Sequence, residues 1–300
     1  MFIQLYHPTK QSGPFALVTA PVPKPWAKEV TIRPRSVALN GIDWKNIKFG
    51  ATIRSWPAVI GVDGAGTVES VGEGVTAFKP GDEVLKNAVA KKPSALSFEE
   101  AALLPICLLI AGAAITVGLK VALPGLPKGG NSSTNPPQSI LVLGCSSAVG
   151  AAAIQLLQMA LPSAVIVATS SEAHHARLRS LRATACLERA AQQDSAAPKA
   201  ATPGGAGFDA FRADGPKLYP LVMTRPDAKV PERLQVTLVG AQDMLDIEPN
   251  PMAYLVKLVG EGKYKLPVKI EVVGKGFQAL EKSLERFPFR ISGTKLVVTL

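Results

Sequence analysis

The chain has 300 residues, enough for one large domain or two medium ones, each with its own core. Hydrophobic residues make up 47% and charged residues 19%, the balance of a globular protein rather than a disordered or fibrous one. The net charge of +10 is spread over scattered lysines and arginines with no aromatic-laced basic stripe, so anionic ligands are expected and a nucleic-acid partner is not.

Residues 1–84 read as a β-rich unit in which short β-prone runs (29–32 and 65–71) alternate with Pro and Gly. Residues 61–84 (GVDGAGTVESVGEGVTAFKPGDEV) have the turn chemistry of tight antiparallel hairpins. Ser97 followed by Glu100 is a capping box that opens a helix over 97–104. The apolar run 101–117 is rich in Ala and Gly and suits a buried helix better than a membrane span. Residues 139–143 form a continuous apolar strand, 144–150 a small-residue loop and 151–160 a helix. A second buried strand, 164–169, and a polar helix, 172–182, complete a β-α-β unit with a further helix. The Ala/Pro/Gly-rich stretch around 190–207 reads as a linker. A strand at 235–239, a helix at 251–261, a strand at 268–273, a helix at 277–286 and a strand at 295–300 follow.

Three cysteines, odd in number and far apart (Cys107, Cys145, Cys186), fit reduced thiols in a cytoplasmic protein. The N-terminal MFIQLYHPTK lacks a basic segment leading into an apolar one, so no secretory leader is expected.

The loop LVLGCSSAVG, between strand and helix, is the most informative local feature. A pyrophosphate needs little side-chain bulk and free amides at a helix N-terminus. Gly144, Ser146, Ser147 and Ala148 supply the first, and Gly150 lets the helix approach the strand. In G-x-G-x-x-G register, however, Cys145 and Ser147 replace the first two glycines. The second strand ends Ala168-Thr169-Ser170-Ser171, with no carboxylate to hold ribose hydroxyls. His174, His175, Arg177 and Arg179 follow within reach of a 2′-phosphate, which favours NADPH; Glu172 would favour NAD if the strand ended later.

Several segments, in order along most of the chain, resemble the medium-chain dehydrogenase/reductase superfamily. They are residues 37–45 (VALNGIDWK), 57–68 (PAVIGVDGAGTV), 81–84 (GDEV), 97–102 (SFEEAA), the phosphate loop, 272–276 (VVGKG) and 291–296 (ISGTKL). The nearest branch is the zinc-independent quinone and enoyl reductases, and within it the trans-acting enoyl reductases of fungal polyketide pathways. The resemblance implies an α/β protein with a GroES-like β-rich catalytic domain (1–100, with 265–300 returning to it). A Rossmann-type doubly wound parallel sheet binding NADP would occupy 101–264, with both domains shortened.

It also implies roles. Asp43, Trp44 and Lys45 would lie at the nicotinamide end, with Asp43 and Lys45 the catalytic candidates or else an ion pair on a turn. Ser146, Ser147, Ala148 and Val149 would hold the pyrophosphate. Ser171, Glu172, Ala173 and His174 would surround the 2′-phosphate, and Ile291 and Ser292 would close over the cofactor. Pro105, Ile106, Cys107, Leu108, Leu109, Ile110, Ala111 and Gly112 would form part of an apolar substrate wall, or else core. Zinc-dependent relatives carry a Cys in the region of Asn40–Asp43 and Gly-His-Glu where this chain has Gly61-Val62-Asp63. With only His7, His174 and His175 available, no metal is expected.

The implied reaction is hydride transfer from NADPH to an α,β-unsaturated thioester or carbonyl, the substrate being a small molecule or carrier-bound acyl group, with a polyketide synthase as partner. Two departures leave an alternative open. Residues 85–95 replace further strands of the catalytic domain, and the later Rossmann strands give way to the linker and the stretch 208–231; Arg189 stands near a position where the family has tyrosine. The chain is therefore either a working enoyl or quinone reductase, or a weakly active or inactive relative that serves as a binding subunit.

Overall fold

The computed structural model describes residues 2–126, 136–192, 218–221, 234–287 and 291–300. The chain divides into two compact units, Met1–Pro105 with Lys269–Leu300, and Ile106–Val268.

In the first unit, β1 (Phe2–Pro8) and β2 (Phe15–Pro21) form an antiparallel pair. The main sheet has six strands in the order β12-β13-β3-β4-β5-β6. Its members are β3 (Val30–Ala38), β4 (Asp63–Val71), β5 (Glu83–Lys86), β6 (Ala90–Lys91), β12 (Lys269–Lys275) and β13 (Thr294–Thr299). All neighbours are antiparallel except β12 and β13. Pro34, which has no N–H to give the ladder, sits at a bulge opposite Gly66. A Cβ on Gly66 would meet the Arg33 carbonyl at 2.1 Å, so glycine is the residue that lets the two backbones close here.

Helix α1 (Gly41–Phe49) leaves β3 and ends at Gly50 with φ +62, the left-handed cap that glycine favours. Leu39, Ile47, Leu284 and Leu296 form the core, with Phe15, Ile60, Val273, Leu280, Phe287 and Ile291 packed on it. Leu280 and Leu284 belong to α8 (Gly276–Leu284).

The sequence placed tight hairpins within 61–84; there β4 and β5 pair across the longer connection 72–82. The tight hairpin lies in the segment that replaces the further strands. Asn87 and Ala88, at φ +76 and +58, form the turn between β5 and β6, and Leu85 pairs with Ala90. Two consecutive left-handed residues match the twist of the strands, so the shortened connection closes cleanly.

The predicted capping box holds: the Glu100 amide donates to Ser97 Oγ at 3.1 Å and the Ser97 amide to Glu100 Oε2 at 2.9 Å. The helix breaks at Leu103, giving α2 (Phe98–Ala102) and α3 (Leu104–Ala113), which runs into a π-helical turn, Ala114–Gly118. Pro105 stands in the first turn of α3, where a missing N–H costs nothing. Phe98–Gly118 is long and apolar enough to cross a membrane by length and composition, but 83% of its most apolar window is buried within the protein, as a core helix requires.

In the second unit, β7 (Ser139–Val142), β8 (Val165–Thr169) and β9 (Ala185–Leu187) form a parallel sheet in that order. Helix α4 (Ala148–Ala160) buries Ala151, Ala152, Ile154, Leu156 and Leu157. The predicted polar helix is a 3-10 turn, Glu172–His174, followed by the short α5 (His175–Ser180). A further parallel pair joins β10 (Leu218–Leu221) to β11 (Gln235–Leu238), so the stretch read as lacking strands contains one. α6 (Ala241–Ile247) and α7 (Pro251–Gly260) follow. Of the linker, Arg189–Gln192 form a 3-10 turn, and 193–207 lie outside the described residues, as do 208–217 and 222–233.

Candidate active site

In the first unit the residues carried by VALNGIDWK surround a buried ionic cluster. Asn40 precedes α1, and its amide N–H donates to Asp43 Oδ2 at 2.8 Å, one half of a capping box. The Asn40 side chain faces the sheet instead: Nδ2 donates to Asp63 Oδ2 at 3.0 Å and to the Ala38 carbonyl at 3.2 Å. Lys295 Nζ, from β13, donates to Asp63 Oδ2 at 3.0 Å and to Asn40 Oδ1 at 2.5 Å. The Asp63 side chain is 0% exposed and that of Lys295 8%, so the pair has little water to screen it.

Asp43 is buried, and its Oδ1 has no hydrogen-bond partner. Burial pushes its carboxyl up to about 6; the Asn40 amide opposes the rise, the Asp63 charge adds to it, and Lys295 and Lys86 oppose it. Near neutral pH this carboxyl can therefore hold or release a proton. Because the folded value lies above the ordinary 3.8, the neutral form favours folding; that contribution is complete below about pH 4 and is lost as pH rises through 6. Asp43→Asn keeps an oxygen for the Asn40 amide and removes the titration. Relative to this variant, the wild type should lose about 3 kcal/mol of stability between pH 4 and pH 7, measured by urea unfolding at each pH.

Trp44 packs edge-on against Phe49 at 5.5 Å and is partly exposed, as is Lys45. Ile291 packs on the core of the first unit. Ser292 is partly exposed. Seven of the eight residues assigned to the substrate wall are buried: Pro105, Ile106, Cys107, Leu108, Leu109, Ala111 and Gly112. Cys107 lies beside the buried Tyr264, whose phenol burial holds well above its ordinary range. Only Ile110 keeps a partly exposed side chain, because a helix apolar on every face is packed all round.

In the second unit the loop from β7 to α4 has the geometry of an anion cradle. Gly144 takes φ +68, with open space where a Cβ would stand. The Gly150 amide donates to Ser147 Oγ at 3.1 Å, which makes Ser147 the N-cap and starts α4 at Ala148, three residues before the sequence placed it. The Ser147 amide is also engaged, donating to the Gly144 carbonyl at 3.0 Å. Ser147 thus builds the loop, while helix geometry leaves the amides of Ala148 and Val149 without intrahelical acceptors. A Cβ on Gly150 would meet the Gly144 carbonyl oxygen at 2.8 Å, so the helix start is pressed onto the loop. Cys145 turns inward and donates its Sγ–H to the Val142 carbonyl at 2.9 Å; burial pushes its thiol up to about 12, so it is not a nucleophile.

Beside this loop, Thr169 and Ser170 are fully buried, and Glu172 and Ala173 are exposed on the 3-10 turn. The basic cluster read from the sequence divides here. Arg177 donates Nε to the Pro267 carbonyl at 3.3 Å and Nη2 to that of Leu266, so it serves the fold. His175 Nε2 lies 3.3 Å from the Ser170 carbonyl. Arg179 is exposed and His174 partly so. Sequence reasoning noted Arg189 only as a departure; the structure brings its Nη2 to 3.4 Å from Ser146 Oγ. The family's tyrosine position near the cofactor pointed to this stretch, but no local pattern marks the approach to Ser146 itself, because β9, which carries the chain there, is only three residues long.

These features define the class: a GroES-like β-rich unit and an α/β unit whose parallel sheet carries a phosphate-type loop. Residues 26–120 match the alcohol dehydrogenase GroES-like domain. Over 333 aligned positions the chain is 28% identical to "Dehydrogenase orf1" of Aspergillus niger, covering 94% of each chain. It is 27% identical to "Trans-enoyl reductase tndF" of Aspergillus flavipes, covering 96% of each. Among solved structures, the CurK enoyl reductase superposes with a TM-score of 0.75 at 19% identity, over 99% of this chain and 98% of that one. Along most of its length the chain is thus similar to medium-chain dehydrogenases and reductases, with the GroES-like domain matched in its N-terminal part. It is an oxidoreductase whose fold implies a nicotinamide cofactor, and the open, small-residue cradle at Gly144–Gly150 fits the phosphates of such a group.

Proposed function

We propose that the protein is an NADPH-dependent, zinc-free enoyl reductase that reduces an α,β-unsaturated thioester, carrier-bound or free, in a secondary-metabolite pathway. The phosphate cradle carries the reading, and the family's reductases and dehydrogenases support it. The bound cofactor supplies hydride at its nicotinamide. The chain's own residues do the rest. Ser146 and the amides of Ala148 and Val149 hold the pyrophosphate, and Ser171–His174 hold the adenosine end, where the strand end lacks a carboxylate. In the GroES-like unit, Asp43, with its unpartnered Oδ1 and raised pKa, serves as the proton store, next in sequence to Trp44 and Lys45.

The donor set supports zinc-free chemistry. Val62 replaces a histidine, and the Lys295 ammonium already lies against Asn40 and Asp63, so a cation there would have to displace a buried one. Among the described residues no group of three or more His, Cys, Asp or Glu side chains could hold a metal.

Titration of the purified chain with NADPH and NADH, followed by nicotinamide fluorescence and thermal shift, tests the reading. Saturable binding with at least tenfold preference for NADPH, about 1.4 kcal/mol, is expected, and crotonyl-type thioesters should then oxidise NADPH. A folded protein that binds neither cofactor would favour the second reading, a binding subunit.

A further inference from the structure

We propose that Arg189 is a phosphate-binding residue of the cofactor site, reaching the dinucleotide from the end of β9; the proposal rests on the cofactor reading above. The topology supplies the placement. In the parallel sheet Thr169 pairs with Leu187 and Val142 with Ala168, so the chains leaving β7, β8 and β9 emerge at one end. The Cys145 amide donates to the Thr169 carbonyl at 3.1 Å and the Ser170 amide to the Leu187 carbonyl at 3.1 Å, which ties those three exits together. The 3-10 turn opening at Arg189 then returns the chain toward β8, with the Ala191 amide on the Glu188 carbonyl.

From there the exposed Arg189 extends over Ser146, which is 8% exposed, with Nη2 at 3.4 Å from Oγ. A single long bond to a neutral hydroxyl is a poor reason for a long cationic side chain to hold one position. The direction is also unfavourable in the protein alone, since the guanidinium faces the positive N-terminal end of α4. Among the described residues Arg189 forms no ion pair, although Glu188 precedes it and Glu172 lies on the neighbouring turn. An anion between guanidinium and helix N-terminus resolves both points, because it accepts from the guanidinium, from Ser146 and from the Ala148 and Val149 amides together. Arg177, by contrast, is held by backbone carbonyls.

The shared chemistry is a phosphate ester, from either the pyrophosphate or the 2′-phosphate. Wild type, Arg189→Ala and Arg189→Lys are titrated with NADPH and NADH by nicotinamide fluorescence, and each apo melting temperature is recorded. Arg189→Ala should weaken NADPH binding at least tenfold without lowering the apo melting temperature, and Arg189→Lys should recover part of it. An equal loss for NADH assigns the pyrophosphate, and a loss confined to NADPH assigns the 2′-phosphate. Arg189→Ala binding both cofactors as the wild type does would overturn the proposal and leave the cofactor reading standing. A folded wild type that binds neither would overturn both.

Discussion

Lys295→Met should destabilise the unit formed by Met1–Pro105 and Lys269–Leu300 by about 3–5 kcal/mol. The variant removes the ammonium that lies 3.0 Å from the fully buried Asp63 carboxylate. Asp63→Asn together with Lys295→Met should cost less than the sum of the single changes, because Asp63→Asn removes the charge that the Lys295 ammonium offsets. Urea unfolding of the two single variants and the double variant, near pH 7, measures this coupling. Strict additivity would mean that the pair contributes no mutual stabilisation. The same variants bear on the proton store. Lys295 and Lys86 hold the Asp43 carboxyl down while burial and Asp63 raise it. Lys295→Met should therefore shift the Asp43 titration further upward, and Asp63→Asn alone should shift it downward.

Gly150→Ala should lower nicotinamide-dinucleotide affinity at least tenfold and destabilise the Ile106–Val268 unit by about 1–3 kcal/mol. The added methyl meets backbone on two sides, the Gly144 carbonyl oxygen at 2.8 Å and Cys145 Cα at 2.9 Å, so no side chain can yield to it. α4 must move off the loop, carrying the Ala148 and Val149 amides with it. Fluorescence titration and a thermal melt check the two effects separately. Gly144→Ala is the contrast. Nothing crowds its Cβ position, but φ +68 is strained for alanine, so its cost should be smaller, about 1 kcal/mol. Equal binding by Gly150→Ala and the wild type would mean that the cradle does not hold the dinucleotide.

Much of the architecture was legible because it depends on short-range rules. The Ser97–Glu100 box, the apolar strands around Ile140 and Ile166, and the glycine-bearing loop between strand and helix are each set by a few neighbours in sequence. Element ends were less legible where caps compete. Ser147 could be read as a phosphate ligand, and only the fold shows its hydroxyl turned to the Gly150 amide. The β5–β6 hairpin lay hidden in LKNAVAKKP because Asn-Ala is a weak signal for two left-handed residues. β10, a four-residue strand in Pro-rich surroundings, was missed for a similar reason.

By itself the sequence determined the residue types that make the chemistry possible: the small-residue loop, a strand end without a carboxylate, Asp43 within VALNGIDWK, and the absence of histidine beside Asp63. Only the tertiary structure decided which of them meet. Lys295 lies 232 residues from Asp63 and 255 from Asn40, and no local pattern links them. Parallel strand order brings Arg189 to Ser146 across 43 residues, and the same packing assigns Arg177 to backbone carbonyls and seven residues of the apolar helix to the core. Periodicity and capping are local and can be read along the chain. Charge pairing, burial and the pKa of Asp43 depend on what distant segments bring to the same few ångströms, and folding alone fixes that.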